Sequence, residues 1–208
     1  MILEDMVAII DYGTGNIFSL CNAVKRAGFD YTVTCNTNEI KASSHVILPG
    51  VGEASEVMKE IDSRDLAETI KTLKVPVLGI CIGMQVMCSF SEEGGTECLS
   101  IFPERVLKLG GEGVKIPHMG WNRVNGVNKA NGLGVGLFDG IEQGEWFYFV
   151  HSFAPEKGVS VLTTTEYGVE FGSTLIKDNF VGTQFHPEKS GVAGERFLMN
   201  FLNTSKNY

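Results

Sequence analysis

Apolar and polar positions follow two different rhythms along this chain, and the change between them falls near its middle. Residues 6–11, MVAIID, make a short apolar run that predicts a buried strand. From 16 to 28, Ile17, Leu20, Cys21, Val24 and Ala27 recur at helical spacing, and Gly28 supplies a stop. Residues 30–35, DYTVTC, alternate as a strand does. Residues 45–49, HVILP, predict another buried strand, which leads into the glycine-rich turn GVGEAS. A helical stretch covers 53–72 with a break near Ser63, and 75–81, VPVLGIC, is the next strand with a helix behind it. Strands alternating with helices imply right-handed crossovers and a mainly parallel sheet.

The second half reads differently. From Pro103 to Gly140 it is rich in glycine, with short apolar pieces. The segments 145–153 (EWFYFVHSF), 159–167 (VSVLTTTEY), 173–178 (STLIKD) and 179–187 (NFVGTQFHP) are strand-like, and some of them pair antiparallel on this reading. An amphipathic helix closes the chain over 191–202, with Phe197, Leu198, Phe201 and Leu202 inward. No linker, repeat or low-complexity tract interrupts the pattern, so the expectation is one domain over 1–208. Its class is α/β, an open and mainly parallel twisted sheet flanked by helices, with antiparallel strands added in the second half.

Composition narrows this picture. With 208 residues and 43% hydrophobic positions, the chain can bury a core without cross-links. A net charge of -8 argues against a general role on nucleic acid or a membrane surface, both of which favour clustered Lys and Arg. The start, MILEDMVAII, lacks a basic leader region and reads as the approach to a strand, and no apolar run is long enough to span a bilayer. Five scattered cysteines without a C-x-x-C pair fit a reduced, cytoplasmic protein better than a disulfide framework or a zinc site.

The candidate chemistry starts at Cys81. It stands where the strand 75–81 gives way to a helix, in the frame Gly79-Ile80-Cys81-Ile82-Gly83. This is the cysteine form of the G-x-S-x-G turn, whose sharp bend lifts the nucleophile out of the sheet. Larger side chains two residues to either side would collide in such a bend. The sulfur then lies over the first turn of the next helix, where free N–H groups and the dipole stabilise a thiolate. The N–H of Ile82 is a natural donor to an oxyanion. A buried structural cysteine would occupy the same position, so the catalytic reading depends on a base.

Of the four histidines, His186 in TQFHPEKS is the best candidate. Pro187 pushes it toward an extended conformation, so residues 186 and 188 should face the same side. Glu188 would then accept from one ring nitrogen while the other faces the thiol. His45 opens a strand and reads as packing or surface. His118 falls in a loop without an adjacent carboxylate, and His151 ends an aromatic strand and could line the site. The loop LPGVGEAS, with Gly50 and Gly52, can bring backbone N–H groups close to a substrate but lacks the Gly-Lys-Ser/Thr of a phosphate loop. The sequence DYGTGN over 11–16 is only a weak dinucleotide signal, which a tight turn explains equally well.

In that order PGVG, GICIGMQ and QFHPEKS resemble the class I, triad-type glutamine amidotransferases, a family of flavodoxin-like architecture. DYGTGNI, PGVGEAS, CIGMQ, SEE, PHMGWN, YFVHSF and TQFHPEKS are similar, more narrowly, to its branch of glutaminase subunits of imidazole glycerol phosphate synthase, in histidine biosynthesis. The motifs run from residue 11 to 190. The resemblance implies Cys81 as nucleophile, His186 as acid and base, and Glu188 as its orienter. It implies Val51 and Ile82 as backbone oxyanion donors. Ile82 stands where leucine is more usual, which leaves the backbone donor intact. Gly50, Gly52, Gln85, Glu93, Ser152 and Phe153 would hold L-glutamine. Asn16, Met119, Trp121, Tyr148 and Lys189 would face a barrel-type cyclase subunit in a heterodimer. No cofactor or metal is implied. On spacing alone PHMGWN reads as a loop with a packed Trp, and 125–140 matches nothing diagnostic. Two other readings stay open at this level. One is a related glutaminase serving another amidation pathway, such as surface-sugar biosynthesis. The other is a cysteine hydrolase on a related fold.

Overall fold

In the computed structural model the residues described are 6–13, 17–50, 52–111, 113–126 and 132–204. The first half follows the expected alternation. Strand β1 is Met6–Ile10, helix α1 Phe18–Arg26, β2 Asp30–Thr34, α2 Thr37–Ala42 and β3 His45–Leu48. Helices α3 (Ala54–Ser63) and α4 (Leu66–Thr72) then lead to β4 (Val77–Ile80) and a single-turn α5 (Ile82–Gln85). The expected break near Ser63 is real. Asp65 takes a left-handed φ of 53° between α3 and α4 and turns the second helix off the first. Helix α2 has no long apolar repeat to announce it. It forms behind Asn36, whose side chain accepts from the N–H groups of Asn38 and Glu39.

The second half adds β5 (Phe90–Ser91), β6 (Thr96–Glu97), β7 (Arg105–Lys108), β8 (His118–Arg123), β9 (Trp146–His151) and β10 (Phe153–Pro155). They are followed by β11 (Val161–Tyr167), β12 (Val169–Lys177), β13 (Phe180–Thr183) and the closing helix α6 (Gly191–Leu202). The main sheet has seven strands in the order β11-β12-β13-β4-β3-β1-β2. From β13 to β2 all neighbours are parallel, and β12 and β11 are added antiparallel at one edge. A four-stranded sheet, β10-β7-β5-β6, and an antiparallel β8–β9 ribbon lie outside it. The fold class expected from the sequence is therefore the one observed.

Two assignments are corrected. PHMGWN is not a loop with a packed Trp: His118–Arg123 is strand β8, paired in register with β9 from His118↔His151 to Arg123↔Trp146. Glycine at 120 and proline at 117 hide the strand in the sequence, and the ribbon leaves Trp121 half exposed rather than packed. The last strand is also shorter than 179–187. It ends at Thr183, and Pro187–Lys189 form a tight 3-10 turn.

The apolar runs of β1, β3 and β4 are continuous because both sheet faces are covered. Val7, Ile9 and Ile47 point to the face holding α1, α6 and the β8–β9 ribbon. Ala8, Ile10, Val46 and Leu48 point to the face holding α2 to α5. On the first face Phe147, Phe149, Phe185 and Phe197 are fully buried, with Phe147 and Phe185 rings 4.2 Å apart. Cutting one such ring to Ala costs about 3–5 kcal/mol. Phe185 matters most for position, since it anchors the chain between β13 and His186. Among the described residues no helix is long and apolar enough to cross a membrane.

Candidate active site

Cys81 caps the single-turn helix α5 at φ 48° and ψ −109°, the strained bend that the G-x-C-x-G frame predicts. Its N–H reaches back to Thr183 O at 2.6 Å on β13, and its carbonyl accepts from Met84 and Gln85 N–H. The flanking glycines are steric necessities. A Cβ at Gly79 would lie 2.7 Å from Gly83 O, and one at Gly83 would overlap the Leu48 carbonyl oxygen. A Cβ at Gly50 would come within 2.8 Å of Ile80 O, 2.9 Å of His186 Cε1 and 3.0 Å of Cys81 Cβ. Glycine there lets the PGVG loop lie directly against both side chains.

His186 is held by the neighbouring ribbon. Its N–H donates to Tyr148 O at 2.9 Å, and its carbonyl accepts from Ser190 Oγ at 2.6 Å. The same Ser190 Oγ accepts from Tyr148 N–H at 2.9 Å. His186 is extended, as Pro187 requires, with φ −97° and ψ 97°. Glu188 does not share a strand face with it, however. The 3-10 turn folds the carboxylate back so that Oε1 lies 2.7 Å from Nδ1. The pairing expected at i, i+2 is present, and the turn supplies it.

Nε2 of His186 is buried, and the imidazole interacts with the Cys81 side chain. Burial would lower the pKa of this imidazole. The adjacent Cys81 and then Glu188 outweigh that and raise it to about 10. An imidazolium so supported is a fitting counter-ion for a thiolate.

Cys81, Ile82, Gln85, Gly50, Gly52, Glu93, Ser152, Phe153, His186 and Lys189 line one open cleft of about 280 Å³ together with Pro117, Val150 and His151. Every glutamine-site candidate thus sits in one place. Ile82 is the first residue of α5, so its N–H has no carbonyl one turn back. Glu93 accepts from Ala54 N–H at 2.8 Å and caps the start of α3. Burial raises its pKa. Of the partner-facing candidates, Met119 and Trp121 are exposed, and the Trp121 ring meets Tyr148 edge-on at 6.1 Å. Lys189 is exposed at the cleft. Val51 and Asn16 lie outside the described residues, as does part of 125–140. A second open cleft of about 330 Å³ lies beside Trp121, Trp146 and the start of α6. No cysteine or histidine lines it.

Two features escaped the sequence reading. His118, read there as lying in a loop without an adjacent carboxylate, is buried in β8 with Nδ1 3.0 Å from His151 Nε2. Behind Cys81, the fully buried Gln184 places Nε2 3.4 Å from Sγ. The histidine pair spans strands 33 residues apart, so no local spacing could disclose it. Gln184 was in plain view two residues before His186, but a lone Gln carries no signal.

The family model for glutamine amidotransferase class-I matches residues 8–204. The chain belongs to the class-I glutamine amidotransferase family. Within it, the chain is 43% identical over 196 residues to "Imidazole glycerol phosphate synthase subunit HisH" of Haemophilus influenzae, covering 94% of this chain and 96% of the relative. It is 45% identical to the HisH subunit of Bacteroides fragilis, over 94% and 98% of the two chains. Among solved structures, PurLQS from Thermotoga maritima matches with a TM-score of 0.71 at 18% identity, over 95% and 97% of the chains. A glutamine amidotransferase from the same organism matches at 0.63 and 18%, over 93% and 80%. At such identities these two support the fold alone.

Proposed function

We propose that this chain is the glutaminase subunit of an imidazole glycerol phosphate synthase, releasing ammonia from L-glutamine for a cyclase subunit. The observation that carries the reading is the joining of Cys81 to the His186–Glu188 pair on one cleft. It occurs in a chain 43–45% identical, almost end to end, to subunits named HisH. Those names favour histidine biosynthesis over the other amidation pathways and over a cysteine hydrolase of related fold.

The Cys81 thiolate attacks the side-chain amide carbon of glutamine, and the carbonyl oxygen becomes an oxyanion. The N–H of Ile82, at the start of α5, and that of Val51 are the oxyanion donors in this reading. His186, protonated and backed by Glu188, gives its proton to the departing nitrogen, so ammonia leaves and a thioester remains. The neutral imidazole then takes a proton from water, which attacks the thioester. Glutamate leaves and the thiolate returns. Gln85, Glu93, Ser152 and Phe153 hold the substrate. Met119, Trp121, Tyr148, Lys189 and Asn16 face a barrel-type cyclase in a one-to-one heterodimer, which receives ammonia before it becomes ammonium.

The test is steady-state glutamate release by this chain alone, with a cyclase subunit, and with cyclase plus its ligand. The expected result is a slow rate alone that rises in the complex. Equal rates in all three would overturn the coupling, and no release in any of them would overturn the glutaminase reading.

A further inference from the structure

Gln184 is fully buried between β13 and His186, and no step above uses it. A carboxamide in such a place needs each polar end paired. Its neighbours decide which end is which. The Phe153 carbonyl can only accept, so the Gln85 atom 2.8 Å from it is the amide nitrogen. The same nitrogen lies 3.0 Å from Gln184 Oε1 and gives it the second N–H. With its oxygen committed, Gln184 turns its own N–H toward Cys81, Nε2 to Sγ at 3.4 Å. Either amide flipped would set acceptor against acceptor or donor against donor.

We propose that Gln184 is a catalytic residue, whose side-chain N–H donates to the Cys81 sulfur and holds it as a thiolate, with Gln85 keeping that donor aimed. The proposal rests on Cys81 being the nucleophile. Beyond its interaction with His186, Sγ also lies 3.9 Å from the Val150 carbonyl, which can serve only the neutral S–H. The two contacts therefore favour opposite protonation states, and the Gln184 donor is the shorter. A hydrogen bond given to the charged form favours that form, more so away from water. Unlike His186, a carboxamide surrenders no proton, so its support persists while His186 shuttles one. It also assists the thiolate as leaving group when the thioester is hydrolysed. The ionisable groups around the sulfur are His186 with Glu188 behind it, His151 at the end of β9, and Glu93 and Lys189 on the cleft.

The experiment is the pH dependence of Cys81 alkylation by iodoacetamide in the full chain, located by peptide mass. It compares wild type, Gln184→Met and Gln184→Glu, with near-UV circular dichroism as the check of folding. In Gln184→Met the midpoint should rise by about one pH unit or more, the size of shift expected when a donor to a charged group is lost. In Gln184→Glu the carboxylate facing the sulfur should raise it further. Gln184→Leu, neutral, of similar size and also without the donor, carries the test alone if Gln184→Met does not fold. A midpoint unchanged in a folded variant, with only a lower melting temperature, would reduce Gln184 to packing and overturn the proposal. Alkylation requires no glutamine. A shifted midpoint in a chain that never releases glutamate would leave this proposal standing and remove the glutaminase one.

Discussion

Two pairs of buried side chains built on histidine meet at this cleft, and they are held in opposite charge states. His186 has a carboxylate oxygen of Glu188 at 2.7 Å on one side and Cys81 on the other, and its pKa is raised to about 10. His118 and His151 hydrogen-bond to each other and to neutral groups, and the nearby His186 further disfavours a charge on His151. His151 Nδ1 gives its proton to Phe153 O at 2.9 Å, its Nε2 accepts from His118 Nδ1 at 3.0 Å, and Asn122 donates to His118 Nε2 at 3.3 Å. That chain is consistent only if both rings are neutral. Burial lowers their pKa values to about 4 for His118 and about 3 for His151. Burial is shared by all three rings. What separates them is whether an anion reaches the ring.

Removing that anion should have the largest effect. Cys81→Ala is expected to abolish glutamine-dependent synthesis while leaving ammonia-dependent synthesis by the cyclase intact. It should also lower the His186 pKa from its raised value, since Cys81 is the first cause lifting it against burial. Activity assays with each nitrogen source and histidine ring NMR check both halves. Retained glutaminase activity would remove Cys81 from the mechanism. Glu188→Gln should come next. It keeps the size of the side chain but withdraws the charge behind Nδ1. The expected loss in kcat is on the order of 100-fold or more, with a smaller change in KM. Normal turnover would make the 2.7 Å contact a structural coincidence.

How the two pairs reveal themselves differs as well. Cys81 and His186 were legible because their signals are local: glycines on either side of a tight bend, a proline fixing His186, a carboxylate two residues on. The parallel half of the sheet was legible because strands buried on both faces read as continuous apolar runs, as in Val46, Ile47 and Leu48. The His118–His151 pair depends on register between two strands, one of them hidden by Gly120. Helix α2 and the two-residue strands β5 and β6 are too short to show a period. Even where the pairing of His186 with Glu188 was foreseen, its cause was a 3-10 turn and not an extended strand.

The two settings also predict opposite responses to pH. The raised His186 pKa contributes stability that is full below its ordinary 6.5 and is lost as pH rises through about 10. The depressed values of His118 and His151 contribute stability that is present above 6.5 and is lost as pH falls through about 4 and about 3. Calorimetry between about pH 7 and about pH 4 should show a falling melting temperature, to which ordinary carboxylates also contribute. His151→Gln should therefore be compared with wild type, because it keeps a polar side chain but cannot take up the proton. Its slope on the acid side should be shallower. Parallel slopes would mean that the imidazole pair does not stay neutral in the folded protein.

The smallest expected effect lies at the outer end of the neutral pair. Asn122 is half-buried on β8 and gives its amide N–H groups to His118 Nε2 at 3.3 Å and to Glu166 O at 2.9 Å. The first contact is long, and a neutral hydrogen bond at a partly solvated site contributes about 0.5–1.5 kcal/mol. Asn122→Ala should cost about 1 kcal/mol in denaturant unfolding. It should leave glutamate release by the complex nearly unchanged, since His186 and Glu188 do not touch it. Losing a donor to Nε2 removes support for the neutral ring and lets water reach the lone pair, so the His118 pKa should move up from about 4 toward its ordinary value. Ring proton shifts followed against pH in wild type and variant measure this directly. A His118 pKa unmoved by the substitution would mean that burial alone holds the ring neutral. The contrast with His186 would then rest on the anion alone.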